Sequence, residues 1–358
     1  MIYLLYSFFF FIFGFIISSL NNVKKNYYFL FFFAIVLFWG LSYIYAIDTD
    51  GYMAKFYYDI QTLGGYIDRQ FEIGYTFSAM ILKSITPHYW FYQLIIFGIE
   101  VLLIIGGLRK FFDDKEMMYI IPLLFFIYPI NLAAFRQGMS ISIFIYALHY
   151  IFDDSIKKSL LYFFFIFIAS LFHQSTLLLV LVYLSRYTKT LMSKNWLIIL
   201  ILGIADVLWL TGSTINSQFD FLLPLFYGDT LGMGDKYAMY IETEEVGANY
   251  GIAKVLEINV TVILYAIFCK KDWKNELLRF NMMIYVFIGL CVGGMLAHRL
   301  NYYWILIYYV CFIQSIISMF KTIRMKSFAY ILIALYMLWF YIFKGNLISH
   351  NYIFLFNG

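Results

Sequence analysis

Residues 89–108, YWFYQLIIFGIEVLLIIGGL, form an apolar run broken by a single carboxylate, Glu100, and followed at once by the basic pair Arg109-Lys110. About 20 apolar residues at 1.5 Å rise each make a helix of about 30 Å, the thickness of a bilayer's hydrocarbon core. The basic pair marks the end that stays on the cytoplasmic side. Runs of the same kind recur through the 358-residue chain, which is 63% hydrophobic and 13% charged, with a mean hydropathy of +0.80. This composition excludes a soluble enzyme or a nucleic-acid-binding domain and predicts an all-α, polytopic membrane protein. The first run, Met1 to Leu20, has neither a basic head nor a small-residue cleavage site, so it is expected to stay as a span.

Orientation follows from where the basic residues cluster. Lys24-Lys25, Arg109 with Lys110 and Lys115, Lys157-Lys158, Arg186 with Lys189 and Lys194, Lys270 to Arg279, and Lys321 to Lys326 occupy alternate gaps between runs. These hold 17 of the 25 Lys and Arg residues and belong inside. The opposite gaps are acidic: Asp48, Asp50, Asp59, Asp68 and Glu72 early on, then Asp220 to Glu245. The expected spans are 1–20, 28–46, 89–108, 117–134, 138–152, 159–172, 174–185, 196–211, 251–269, 280–298, 301–320 and 328–345, about twelve in all. Residues 1–358 read as one multi-span domain, with an outer loop at 46–88 and a long outer loop at 212–250. Within the first loop, 71–86 is expected as a re-entrant or interfacial helix, because a full crossing there would invert the charge parity on one side of it. Cys269, Cys291 and Cys311 have no ligand spacing, so no metal or disulfide framework is expected.

Three ionisable side chains sit at breaks that face outward: Arg136, His173 and Arg299. Arg136 lies between Asn131-Leu-Ala-Ala-Phe135 and Gln137-Gly138-Met-Ser-Ile-Ser142. Gly138 and Ser142 form a small-residue face that would hold the arginine within a bundle, where it suits a phosphate. The plain alternative is a guanidinium snorkelling to the interface. His173, in Ala169-Ser-Leu-Phe-His173-Gln-Ser175, would accept a proton or hydrogen-bond a pyrophosphate, or else be an ordinary satisfied histidine. Arg299, beside His298 in Leu296-Ala-His-Arg299-Leu-Asn-Tyr302-Tyr, repeats the Arg136 pattern, and two such arginines would clamp a diphosphate.

The early outer loop reads Ile47-Asp48-Thr-Asp50-Gly-Tyr52 and then Phe71-Glu72-Ile-Gly-Tyr75. Its carboxylates and tyrosines would hydrogen-bond sugar hydroxyls and stack on sugar rings, and a carboxylate with a raised pKa would serve as a general base. A solvated acidic loop would look the same. Glu100 and Asp206 fall inside apolar runs, where charge costs about 2.5 to 3.5 kcal/mol, and are expected neutral, paired or facing water. Lys254 and Glu257, one turn apart, are expected as an internal ion pair. The segment from Gly212 to Tyr250 mixes aromatic and acidic residues around an apolar middle and is expected to lie over the bundle as a lid.

The ordered set Asp48-Thr-Asp-Gly-Tyr52, Glu72-Ile-Gly-Tyr75, Asn131 to Arg136-Gln137, and Phe172-His-Gln-Ser175 resembles the EpsG family of polysaccharide polymerases, with Arg299 to Tyr302 compatible. The likeness covers roughly residues 40 to 180. The family is grouped with the Wzy-type O-antigen and capsule polymerases and resembles GT-C glycosyltransferases in fold. It implies a multi-pass protein of the bacterial inner membrane whose active site faces the periplasm or outside. A growing glycan on undecaprenyl diphosphate would be moved onto a lipid-linked repeat unit, with no cofactor. The partners implied are the two lipid-linked oligosaccharides, donor and acceptor, and a chain-length regulator protein. Arg136 and Arg299 would hold the donor diphosphate, and His173 would be the base or a third phosphate ligand. Asp48, Asp50 and Glu72 would orient the acceptor or supply the base, and Tyr52, Tyr75, Gln137, Ser175, His298 and Tyr302 would line the substrate. The competing readings are a flippase of lipid-linked glycans and a membrane acyltransferase.

Overall fold

The computed structural model describes residues 26–40, 42–43, 49–62, 72–131, 135–191, 195–211, 252–269, 275–290, 295–320 and 353–354, with isolated helical positions among 9–17 and 328–335. The described residues are almost entirely helical. The strands among them are a two-residue pair, β1 (Ser42–Tyr43) antiparallel to β2 (Ile353–Phe354), with Ser42 opposite Phe354. The chain divides into two compact units, one of Met1–His149, Leu171–His173 and Phe320–Gly358, the other of Tyr150–Ser170 and Gln174–Met319.

The first unit contains α1 (Asn26–Gly40), α2 (Thr49–Tyr58), α3 (Ile73–Ile85), α4 (Tyr89–Leu108), α5 (Asp114–Asn131) and α6 (Phe135–Ala147). The break between α3 and α4 follows from Pro87. The residue before a proline avoids the helical region, and Thr86 is extended at φ −150°, ψ 138°. A reciprocal cap opens α5: Glu116 N–H donates to Asp113 Oδ1 at 2.8 Å, and Asp113 N–H donates to Glu116 Oε2 at 2.9 Å. α4 and α6 approach closely because Gly107 has no side chain; a Cβ there would collide with the Ile145 carbonyl. The buried Ser140 and Ser142 hydroxyls of α6 donate back to the Gln137 and Gly138 carbonyls at 2.8 Å, so neither leaves an unmet donor in the core.

The second unit contains α7 (Ile156–Ser170), a 3₁₀ segment (Gln174–Tyr187), α8 (Thr188–Leu191), α9 (Asn195–Thr211), α10 (Ile252–Leu264) running into a π turn (Tyr265–Cys269), α11 (Glu276–Leu290) and α12 (Met295–Met319). Its centre is aromatic, with Trp209, Tyr285 and Trp304 packed ring to ring at 5.0 to 6.4 Å. The indole donors are met: Trp209 Nε1 donates to Tyr285 O at 3.0 Å and Trp304 Nε1 to Asn281 Oδ1 at 2.7 Å.

Among the described residues, two helical stretches, Tyr89–Leu108 and Leu300–Met319, are long and apolar enough to cross a membrane. Ile73–Ile85, Ile199–Leu210 and Val255–Phe268 are shorter apolar helices. Outward faces are apolar as well. Phe29, Phe33 and Leu37 on α1, Leu160, Phe164 and Phe167 on α7, and Leu256, Val260 and Ile263 on α10 are all exposed at three- or four-residue spacing. Such stripes suit lipid contact. Helices occupy most of the runs expected to be helical, and α7 ends at Ser170 with His173 outside any helix, where charge parity placed a break. Helix α2 was not expected, since its residues read as an outer loop. The 212–250 segment lies outside the described residues.

Candidate functional site

Three distant parts of the first unit meet at the N-terminus of α3. The link is backbone to backbone: Gly74 N–H donates to the Leu171 carbonyl at 2.7 Å. A Cβ on Gly74 would itself stand 2.7 Å from that oxygen, so only glycine lets the Leu171–His173 turn settle there. The contact places His173 against Glu72, the residue that precedes α3. His173 Nδ1 donates to Glu72 Oε1 at 3.1 Å, and Arg136 Nη1 forms an ion pair with Glu72 Oε2. Arg136, on the first turn of α6, also donates from Nε to the Tyr52 hydroxyl at 2.9 Å. Tyr52 comes from α2; its ring lies 5.5 Å from the guanidinium carbon and 5.3 Å from the Tyr75 ring.

The environment sets the charges. Burial by itself would raise the Glu72 pKa, but the His173 hydrogen bond and the Arg136 charge outweigh it and hold the carboxyl down at about 2. Burial pushes the Arg136 guanidinium down, while Glu72 and Tyr52 push it up further, and the net direction is up. Glu72 is therefore a fixed carboxylate. Of the loop carboxylates from which a general base with a raised pKa was expected, Glu72 has its pKa lowered instead, because both of its oxygens are held by cationic or proton-donating groups. Since that carboxylate accepts a hydrogen bond from Nδ1–H, the neutral form of His173 carries its lone pair on Nε2.

Other predicted residues fall elsewhere. Tyr52 and Tyr75 are buried at 4% and 1% exposure and packed on one another, so the expected stacking on a sugar ring is not what these two faces provide. Gln137 is buried beside Arg136 in α6. Ser175 belongs to the second unit, where the Tyr303 hydroxyl lies 3.3 Å from its Oγ and 2.8 Å from Thr176 Oγ1. His298, Arg299 and Tyr302 lie on α12, and Tyr302 is partly exposed. Asp48 and the side chains of Asp50, His298, Arg299 and Lys254 lie outside the described residues.

The acids inside apolar runs find partners or burial. Asp206 accepts from Asn259 Nδ2 at 2.8 Å and from the Tyr285 hydroxyl at 2.6 Å, and Glu257 accepts from the Tyr308 hydroxyl at 2.9 Å. Glu100 is buried in α4. Among the described residues no group of three or more His, Cys, Asp or Glu gathers as a metal site. Sequence reasoning missed Gly74 and the Tyr52 hydroxyl as parts of the cluster; the only signal was their place in the Glu72-Ile-Gly-Tyr75 and Asp-Gly-Tyr52 motifs.

The cluster can do two things chemically. A carboxylate that orients a histidine and fixes its tautomer prepares Nε2 to take a proton, and a guanidinium beside it suits an anionic leaving group. Compared with known proteins, the chain matches the EpsG family over residues 25–353. No curated protein and no solved structure shows significant similarity to it.

Proposed function

The chain belongs to the EpsG family, and on that premise we propose that it is a polysaccharide polymerase, a multi-pass membrane glycosyltransferase of the O-antigen or exopolysaccharide type. The observation that carries this reading is Glu72 gripping Arg136 with one oxygen and His173 with the other. The donor is a growing glycan on undecaprenyl diphosphate, and the acceptor is the terminal hydroxyl of a lipid-linked repeat unit at the outer face of the bacterial inner membrane. A chain-length regulator protein is the further partner of this reading.

In the proposed step the acceptor oxygen attacks the anomeric carbon of the donor sugar, and a new glycosidic C–O bond forms. The bond from that carbon to the diphosphate oxygen breaks, and its electron pair leaves with the diphosphate. His173 Nε2 takes the acceptor's proton, with Glu72 holding the ring in the tautomer that leaves this nitrogen basic. Arg136, held in place by Glu72, steadies the negative charge growing on the leaving diphosphate. Arg299 is proposed as a further diphosphate ligand on the strength of the family resemblance, and Asp48 and Asp50 as groups that orient the acceptor.

The test is the surface polysaccharide of a deletion strain complemented with wild type, His173→Ala or Arg136→Ala. A polymer ladder restored by wild type but collapsed to single repeat units in both variants supports the polymerase. Absence of any repeat unit outside the cell would point to a flippase, and a full-length ladder in all strains would overturn the reading.

A further inference from the structure

Helix α2 brings Tyr52 to Arg136, so what holds α2 in place matters to the site. Its inner face carries Tyr52 and Phe56 at four-residue spacing, both buried. These rings rest on aromatic neighbours: Tyr52 on Tyr75 at 5.3 Å, and Phe56 on Tyr92 at 5.4 Å and on Tyr89 at 5.6 Å. Packing of ring on ring is broad and tolerates a slide along the helix axis. Hydrogen bonds do not.

The directional restraint is Lys83, in the last turn of α3. Its ammonium donates to the Phe56 carbonyl at 2.5 Å, the Ile60 carbonyl at 2.6 Å and the Tyr57 carbonyl at 3.1 Å. It also stands 5.4 Å from the Phe56 ring. An ammonium has three donors, and here three carbonyls at and beyond the C-terminus of α2 receive them. The same charge faces the negative end of the α2 dipole, so attraction and geometry act together. A lysine at the end of an apolar helix would ordinarily extend its ammonium toward water. This one turns back onto a neighbouring helix.

We propose that Lys83 is a positioning residue of the transfer site, a latch that sets the axial register of α2 and so keeps the Tyr52 hydroxyl on Arg136. This rests on the polymerase reading given above. Lys83 touches no reacting group; it acts through Tyr52.

The experiment combines Lys83→Met, Lys83→Arg and Tyr52→Phe with the double variant Lys83→Met/Tyr52→Phe in the full-length protein, purified in detergent and returned to lipid vesicles. Hydrogen exchange of residues 49–58 is measured alongside polymer formation from a lipid-linked repeat unit. Lys83→Met is expected to speed exchange in α2 and to slow polymerisation about tenfold, the worth of one hydrogen bond to a charged group. Lys83→Arg, which keeps a multidentate cation, is expected to restore both. Because the effect runs through Tyr52, Lys83→Met is expected to cost little more in the Tyr52→Phe background. Additive losses in the double variant, or unchanged exchange in Lys83→Met, would overturn the latch. Exchange that is faster in Lys83→Met and restored in Lys83→Arg, together with no polymer from the wild-type protein, would overturn the polymerase reading while leaving the latch standing.

Discussion

Glu72 and His173, 101 residues apart in sequence, share a hydrogen bond of 3.1 Å between Oε1 and Nδ1, and the other oxygen of the same carboxylate holds Arg136. One side chain thus unites the two groups to which the proposed transfer assigns its base and its phosphate ligand. The arrangement is economical because a carboxylate has lone pairs on both oxygens and can serve two donors in different directions.

Breaking the ion pair leaves a charge behind. With Glu72 and Arg136 side chains only 5% and 18% exposed, Glu72→Gln is expected to lower stability by about 3 kcal/mol, since the guanidinium loses its counter-charge in a poorly solvated place. Glu72→Met combined with Arg136→Met is expected to cost about 2 kcal/mol less than the sum of the single changes. Thermal unfolding of the purified proteins in detergent gives all four corners of the cycle. Strict additivity would show that the pair does not interact in the folded protein.

The pH dependence has a definite sign. A carboxylate lowered from 4.5 to about 2 in the folded state binds its proton less readily there than in the unfolded chain. Its contribution is therefore fully present above about pH 4.5 and is lost as pH falls toward about 2. Near-ultraviolet circular dichroism across this range is expected to show a loss of stability in wild type that is shallower in Glu72→Gln. Identical acid profiles would mean that Glu72 is not the titrating anchor.

Gly74 carries the site without contributing a side chain. Gly74→Ala is expected to push the Leu171 carbonyl away, move His173 off Glu72 and cost about 1–3 kcal/mol from the forced contact. Polymer in cells should collapse to short chains although Glu72, Arg136 and His173 are all present. A normal ladder in a Gly74→Ala strain would separate the turn from the function.

Apolar runs and their flanking charges made most helices legible, and charge parity alone located the break at His173. The pairing of Glu72 with Arg136 and His173 was not legible, because partners 64 and 101 residues apart leave no local pattern. Tyr52 illustrates a different limit. Its position in an acidic motif marked it out, yet only packing shows that its ring is spent on Tyr75 while its hydroxyl serves Arg136. Lys83 drew no reading from the sequence, and the carbonyls it serves lie at and just beyond the end of a helix that the sequence presented as a loop. The composition of 49–58, with Asp50, Gly51 and Lys55, hides that helix from any apolar count.

Two glycines in apolar helices should respond oppositely to the same change. Gly107 lies where α4 meets the backbone of α6, and a Cβ there would overlap the Ile145 carbonyl and crowd Tyr146. Arg136 rides on α6, so displacing that helix also displaces the site. Gly107→Ala is expected to destabilise by about 3 kcal/mol and to abolish polymer. Gly203, in α9, has nothing within 4 Å of an added Cβ and is exposed. Gly203→Ala is expected to leave activity unchanged and to gain up to about 1 kcal/mol from the helical preference of alanine over glycine. Melting temperatures and polysaccharide gels of the two variants side by side provide the check. Equal tolerance at both positions would show that α4 and α6 can separate, and with it that the placement of Arg136 does not depend on their contact.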